Sequence, residues 1–556
     1  MGLNRRAFLG TGAALVTGYV TTASASTRSI NGGSAEKNVL KALESYVEHH
    51  RTDWGLPGMT VTVVTREGFE GFVTSGLADV GRNTPVGADH LFQIGSISKM
   101  FGALAVYSLI EEGVLTAETK IEVALRGLRV RDGEGITLQH LLNHTAGLPA
   151  DSSIFPEGGL WSAFEPGTNW SYSNSGYNLA GLIAASVTGA PYPDVVFERV
   201  LSKLGMSASK ASIRVVDRGL YAQGYEPALT DRLNPHPGIM TAAPWVDLDN
   251  AAGCIASTGG DMAKFLRFLI NLNDGKGGPV INDVTAAKFL TDPVEGWSAG
   301  AHYGNGIARV TIDGREYLHH TGGMVSFCSS LHVDRKAGVA AFASTNVHYA
   351  LNYRPRLVTL YACELMRALS NGVAARKPKS PVEKLEKPER FVGVFTAEGG
   401  DRIEILSDGA IISLRHGDVL SPMQQVAPNL FAAPESKFTI TGIAFELDDE
   451  GVTRLWAGDV EYLRDQSLGY KPQTAPALKA YAGRYDNDDR WAGPIYVYAR
   501  NNELWIGNAV KLTPIDDNSW RLGDDSSPER ISFAGFINGA PHQLIFSGTP
   551  YLRRFS

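Results

Sequence analysis

The spacing of apolar and polar positions divides the chain into two kinds of sequence. From about residue 36 to residue 372, helical and strand-like runs alternate. Glu36 to Arg51 has helical periodicity, and Met59-Thr-Val-Thr-Val-Val-Thr65 alternates with a period of two, which predicts a strand. Phe101 to Glu112 is apolar almost all round, so it predicts a helix buried on every side. Tyr177 to Val187 predicts a second apolar helix. Val325 to Val333 and Gly338 to Ser344 predict paired strands, separated by Asp334-Arg-Lys-Ala337. Residues 36–372 therefore read as one large α+β or α/β domain.

Beyond that point the pattern changes. Residues 373–388 form a linker, with Arg376-Lys-Pro-Lys-Ser-Pro-Val-Glu-Lys-Leu-Glu-Lys-Pro388 charged and rich in proline. Short strand-like runs follow, and they repeat. Phe391-Val-Gly-Val-Phe395 corresponds to Tyr481-Ala-Gly-Arg-Tyr485 at an offset of 90, and Tyr462-Leu-Arg464 to Tyr551-Leu-Arg553 at an offset of 89. Residues 389–470 and 477–556 thus read as two copies of a small antiparallel barrel or sandwich, divided by Lys471-Pro-Gln-Thr-Ala-Pro476.

Composition narrows the setting. A chain of 556 residues holds several domains, and 44% apolar with 20% charged residues is ordinary for a globular protein. A net charge of -7 gives no support to nucleic-acid binding or to an anionic membrane surface. The body of the chain has no apolar run long enough to span a bilayer. Asn4-Arg-Arg-Ala-Phe-Leu-Gly10, a weakly apolar run and Ala23-Ser-Ala25 make residues 1–25 a twin-arginine signal peptide. The expectation is export, with a mature protein starting near Ser26 in a periplasm or outside the cell. The cysteines are Cys254, Cys328 and Cys363; the odd count leaves at least one unpaired, and there is no C-x-x-C signature.

The candidate chemistry centres on Ser96-Ile-Ser-Lys99. A serine and a lysine three apart lie on one face of a helix, where the lysine can take the hydroxyl proton and the helix N-terminus favours the resulting charge. The spacing alone is uninformative, because it also occurs at Ser34 and Ser207. Only Ser96 follows an Ile-Gly turn and opens a long buried helix. A second element is Tyr172-Ser-Asn174, on a loop before another apolar helix. A tyrosine can act as a base when cations lower its pKa, and an asparagine amide can hold substrate or orient the lysine. Helix capping by the asparagine and serines is the competing reading. Tyr-x-Asn recurs at Tyr303 and Tyr485, neither of them before a helix. The third element is His319-His320-Thr-Gly322-Gly323, read as lying before a strand. Its glycines would let a substrate backbone lie along a strand edge, and the Gly323 and Ser96 amides could form an oxyanion hole.

Ser-x-x-Lys before a buried helix, then Tyr-x-Asn, then His-x-Gly resembles the serine β-lactamase and penicillin-binding-protein family. Leu141-Leu-Asn-His-Thr-Ala-Gly-Leu-Pro149, Glu165-Pro-Gly-Thr168 and Ala252-Gly-Cys-Ile-Ala-Ser-Thr-Gly-Gly-Asp-Met262 are also similar to its class C branch. The resemblance covers roughly residues 50–365. It implies an antiparallel sheet flanked by helices beside a helical subdomain, with the site between them. It also implies Ser96 as nucleophile, Lys99 and Tyr172 as its activators, and Asn174, His320, Gly322 and Gly323 as substrate-binding residues. No metal or organic cofactor is implied, and the partner is a small peptide or amide.

His320 stands where class C β-lactamases carry lysine, and a free histidine is mostly neutral at pH 7. That weakens a fixed charge for a β-lactam carboxylate. A histidine here and two β units behind the catalytic domain are similar to the D-aminopeptidases of the family. In that branch a loop of the last domain helps select a free amine, so Asp486-Asn-Asp-Asp489 or Asp516-Asp517 is expected to reach the cleft. The leading expectation is an exported serine hydrolase cleaving amide bonds of small peptides. An esterase or β-lactamase is the alternative within the fold, and a non-catalytic peptide or cell-wall-fragment binder the alternative outside it. Nothing in the sequence sets the oligomeric state.

Overall fold

The computed structural model describes residues 16–17, 25–30, 32–156, 159–229, 231–233, 239–291, 293–351, 353–378, 385–447, 451–464 and 474–554. Arg5, Arg6 and the Ala23 position of the expected signal peptide lie outside the described residues, as do residues 379–384 of the linker and 471–473 of the second separator.

The first part is built on an antiparallel sheet closed over by helices on both faces. Helix α1 (Ser34–Asp53) leads into strand β1 (Gly58–Thr65). Helices α2 (Ser98–Glu111), α3 (Leu138–Asn143), α4 (Asn174–Thr188) and α5 (Gly259–Asn273) follow. The chain then returns to the sheet as β2 (Arg315–Gly323), β3 (Cys328–Asp334) and β4 (Val339–Thr345), and ends in α6 (Arg356–Ser370). Strand β4 pairs with β3 on one side and with β1 on the other, so β1 joins the late strands to two early ones, Glu70–Asp79 and Ser26–Ile30, in one sheet.

Every residue of β1 is buried. Its Thr/Val alternation separates two cores rather than core from solvent. Met59, Val61 and Val63 pack with Leu43 and Val47 of α1 and with Val358 and Met366 of α6. On the opposite face Thr62 donates to the Gly259 carbonyl at the start of α5, 3.1 Å away. Period two thus predicts the strand but not its solvent exposure when both faces are covered. The expected strand at Val325 begins three residues later, at Cys328, because Met324 N–H bonds the Phe327 carbonyl in a tight turn. The three cysteines are free and buried.

Helix α2 is the axis of the helical part. Its residues 98–109 are all buried. Phe101 stacks on Phe265 of α5 at 3.9 Å between centroids, and Leu104 and Val106 share one core with Leu179 and Ile183 of α4. A helix buried on all sides places whatever sits at its N-terminus in a fixed position.

The two β units differ. The second, from Gly483–Asp486 to Thr549–Arg553, is a closed barrel of eight strands. The first is a nine-stranded sheet whose path runs from Val419–Pro422 round to Gln424–Ala427, adjacent in sequence but not paired with each other. It is a barrel with one open seam. The repeated residues are the clasp that joins first strand to last in each unit. Phe395 pairs with Arg464, and Tyr485 with Arg553. Each arginine lies over its aromatic partner, at 5.2 and 6.0 Å, and donates to an equivalent carbonyl, Val392 or Ala482.

Candidate active site

Ser96 lies in the single helical turn Gly95–Ile97 that opens α2. The third motif closes on it from the sheet. Strand β2 pairs with the preceding strand Ile307–Ile312 only as far as His319, so residues 320–323 have no neighbour on that side within the sheet. They lie instead against the backbone before Ser96. A Cβ on Gly322 would sit 1.9 Å from the Ile94 carbonyl oxygen, and one on Gly95 would sit 2.9 Å from Gly323 N. Gly322 is therefore required by the protein's own backbone, a tighter reason than substrate access. The motif also ends a strand rather than preceding one.

Lys99 is fully buried, one turn into α2. Its Nζ donates to Ser96 Oγ at 3.1 Å, Asn174 Oδ1 at 2.6 Å and the Ala252 carbonyl at 2.8 Å. Three acceptors exhaust its donors. Burial outweighs the attraction of Asp151 and pulls its pKa down to about 7, so a neutral amine is well populated at neutral pH. Lys99 Nζ lies 5.0 Å from the Tyr172 ring centre. Burial pushes the phenol far above its ordinary value, more than the nearby Ser96 hydroxyl and Arg354 lower it. This reverses the expectation of a cation-activated tyrosine base: Tyr172 is held as a phenol. Asn174 is the first residue of α4, and Ser173 caps that helix by accepting from Gly176 N–H. Capping and site geometry are thus served by neighbouring residues of one turn.

His320 is buried. Its Nδ1–H faces the Thr321 carbonyl at 2.6 Å, which leaves Nε2 to accept from the Tyr303 hydroxyl at 3.0 Å. Burial first, then Lys99, lowers its pKa to about 3. It carries no charge at working pH. A cation does stand nearby: the Arg354 guanidinium lies 2.4 Å from where a Cβ on Gly323 would be.

Ser96, Lys99, Tyr172 and Asn174 are thus brought together, with Gly322 and Gly323 against the turn that carries Ser96 and His320 beside Tyr172, its ring centre 6.4 Å away. Sequence reasoning missed several neighbours. Tyr303 was visible as a second Tyr-x-Asn, but its place on a strand hid its partnership with His320. His144 packs on Tyr172 at 4.2 Å between ring centres. Asp151 accepts from the Asn174 amide at 2.7 Å. From the last barrel, Glu529 accepts from Ala150 N–H at 2.7 Å, and Pro528 from the Trp161 indole at 2.8 Å. The Trp491 carbonyl accepts from the Tyr349 hydroxyl at 2.6 Å.

The acidic clusters fall in different places. Asp486 is paired with Arg484 and Arg554. Asp489 caps the turn that carries Trp491; burial chiefly raises the pKa of Tyr349 and Tyr551, and the charges of Asp151 and Asp489 add to it. Asp516 holds its own turn through Ser519 and Asn518. It lines a groove of about 1220 Å³ between the helical part and the barrel, whose walls include Arg131, Trp161 and Arg530 but not Ser96 or Tyr172. Among the described residues no group of three or more His, Cys, Asp or Glu side chains could hold a metal ion.

An antiparallel sheet between two helical layers, with a serine, a buried lysine and a phenol meeting at its edge, defines a serine hydrolase of the β-lactamase fold. The Beta-lactamase family model matches residues 43–363, more than half of the chain, and the chain belongs to that family. Penicillin-binding protein 4* of Bacillus subtilis (strain 168) is 23% identical over 416 residues, 67% of this chain and 85% of that protein. Penicillin-binding protein 4 of Amycolatopsis lactamdurans is 27% identical, over 54% of this chain and 84% of its own length. Among solved structures, the octameric penicillin-binding protein homologue from Pyrococcus abyssi aligns over 76% of this chain and 100% of its own, with a TM-score of 0.54 and 22% identity. The D-amino acid amidase from Ochrobactrum anthropi SV3 complexed with D-phenylalanine aligns over 60% and 99%, with a TM-score of 0.51 and 24% identity. These structural likenesses concern the fold.

Proposed function

We propose that this protein is an exported serine hydrolase that cleaves amide bonds of small peptides through an acyl-enzyme on Ser96. The observation that carries the reading is the Lys99 amine, 3.1 Å from Ser96 Oγ, with its pKa pulled down to about 7 by burial. Neutral Lys99 takes the Ser96 proton as Oγ attacks the substrate carbonyl. The Ser96 and Gly323 amides hold the oxyanion. The Tyr172 phenol gives its proton to the departing nitrogen and is reprotonated from the Lys99 ammonium. Water then attacks the acyl-enzyme with the same groups acting in reverse. Asn174 keeps Lys99 aimed at Ser96.

A neutral His320 removes one charge that would hold a β-lactam carboxylate, which favours amides without one. The exposed carboxylate of Asp151 and the Asp489 turn offer a free α-amine an acidic setting, and this supports an aminopeptidase. The relative named D-amino acid amidase adds support for a small amide of D configuration. The Arg354 guanidinium beside Gly323 favours a second reading, hydrolysis of a carboxylate-bearing β-lactam.

The test pairs a fluorophosphonate probe with substrates. Wild type should label at one serine, and Ser96→Ala should not. D-Ala and L-Ala p-nitroanilides, their N-acetyl derivatives, p-nitrophenyl acetate and nitrocefin then separate the readings. Turnover of nitrocefin alone would favour the second. Absence of labelling with tight peptide binding would mean a binding protein. Cleavage at Ala25 in a twin-arginine-competent host, lost in an Arg5→Lys/Arg6→Lys variant, tests export.

A further inference from the structure

His144 ends helix α3 in the left-handed region, at φ 60° and ψ 34°. Glycine or asparagine adopts that conformation with least strain, so a histidine there needs another reason. Its contacts supply one. The His144 carbonyl accepts from Ser171 N–H at 2.8 Å, and its ring Nδ1 accepts from Ser173 N–H at 3.1 Å. These are the residues on either side of Tyr172. The imidazole itself lies on the Tyr172 ring, 4.2 Å between centres.

We propose that His144 is a positioning residue, which brackets the Tyr172 backbone on both sides and packs on its ring so that the phenol stays within reach of Ser96. The proposal rests on the reading that Tyr172 serves Ser96. Because Nδ1 accepts, the ring proton belongs on Nε2. Nε2 is buried and has no hydrogen-bond partner among the described residues. The rings of Tyr303, Tyr177 and Trp170 complete its surroundings, at 4.7, 5.1 and 5.9 Å. An unbonded buried donor costs stability, and so does a left-handed histidine. A glycine would avoid both and still offer its carbonyl to Ser171. What only the imidazole adds is the Ser173 acceptor and the surface under the phenol. Burial keeps the ring neutral, so it adds no positive charge beside Lys99.

Two variants of the full chain isolate that addition, since both accept the left-handed conformation. His144→Gly removes acceptor and ring. His144→Asn places Oδ1 close to where Nδ1 was. The readout is kcat/KM on a D-Ala or L-Ala p-nitroanilide, whichever wild type turns over, because its departing nitrogen takes the Tyr172 proton; melting temperature is measured beside it. His144→Gly should turn over about 30- to 100-fold more slowly, the cost of a misplaced catalytic group, while His144→Asn stays within about threefold of wild type. The split should appear in the rate and not in the melting temperature. Asparagine as slow as glycine, or both at the wild-type rate, overturns the proposal. If the glycine variant does not fold, His144→Asn decides alone: within about threefold the bracket stands, and slower than about tenfold it falls. Failure of wild type to label at Ser96 would instead overturn the reading of the enzyme.

Discussion

The floor and the rim of the cleft are built on different principles. The floor belongs to one domain. Lys99 is fully buried, its three donors each have an acceptor, and the helix beneath it is packed on every side. The rim is shared. Tyr349 and Ala150 of the first domain each hold a group from the last barrel, the Trp491 carbonyl and the Glu529 carboxylate. The floor gains its reactivity from the removal of water, which lowers the pKa of Lys99. The rim depends on a domain of separate core being docked in place. The reacting groups thus all come from one domain, while the rim around them comes from two.

One thread joins the two. Glu529 holds Ala150 N–H, the Ala150 carbonyl accepts from Asn174 N–H at 2.8 Å, and the Asn174 side chain accepts from Lys99. The largest expected effect lies at the Lys99 end. Lys99→Ala should slow acylation by about 10³- to 10⁴-fold without lowering probe affinity, because it removes the base and not a binding group. Stopped-flow acylation measures this, and a change confined to KM would contradict the assignment. Glu529→Ala comes next. It leaves Ala150 N–H unpaired and loosens the turn before Asn174, so kcat should fall by about 10²-fold, whereas Glu529→Gln, which keeps an acceptor, should stay within a few-fold. Equal rates for Ala and Gln would show that the last barrel does not reach the floor.

The sequence exposed the floor because its parts are local. Ser96 and Lys99 share one helical turn, Tyr172 and Asn174 one helix start, and His320, Gly322 and Gly323 one strand end. Each leaves a signature within a few residues. The rim has no such signature: Ala150 and Glu529 lie 379 positions apart, and Tyr349 and Trp491 lie 142 apart. A lone glutamate in a hairpin turn looks like any solvated turn residue. The acidic runs were conspicuous, but Asp486 is neutralised by two arginines and Asp516 faces another groove. Tyr303 failed for a third reason. Its helix-based context was the wrong test, since hairpin register brings it to His320. The repeat, by contrast, was legible because the closing clasp needs the same aromatic and arginine in each copy.

The pH dependence separates floor from rim at smaller amplitude. The base must be unprotonated, so acylation should rise about tenfold per pH unit up to about 7 and then level off. Asp151 raises the Lys99 pKa from the rim side. Asp151→Asn should therefore move the acid limb to lower pH, and an unmoved limb would mean the rim carboxylate does not couple to the base.

The smallest effect belongs to the outermost contact. Trp491 touches Tyr349 through its carbonyl and stacks at 6.0 Å between ring centres. It bonds none of Ser96, Lys99 or Tyr172. Trp491→Ala keeps the carbonyl and removes only the indole, so KM for a p-nitroanilide substrate should rise about three- to fivefold with kcat unchanged, the mark of lost uniform binding. A fall in kcat would place the indole in the chemistry and merge rim with floor.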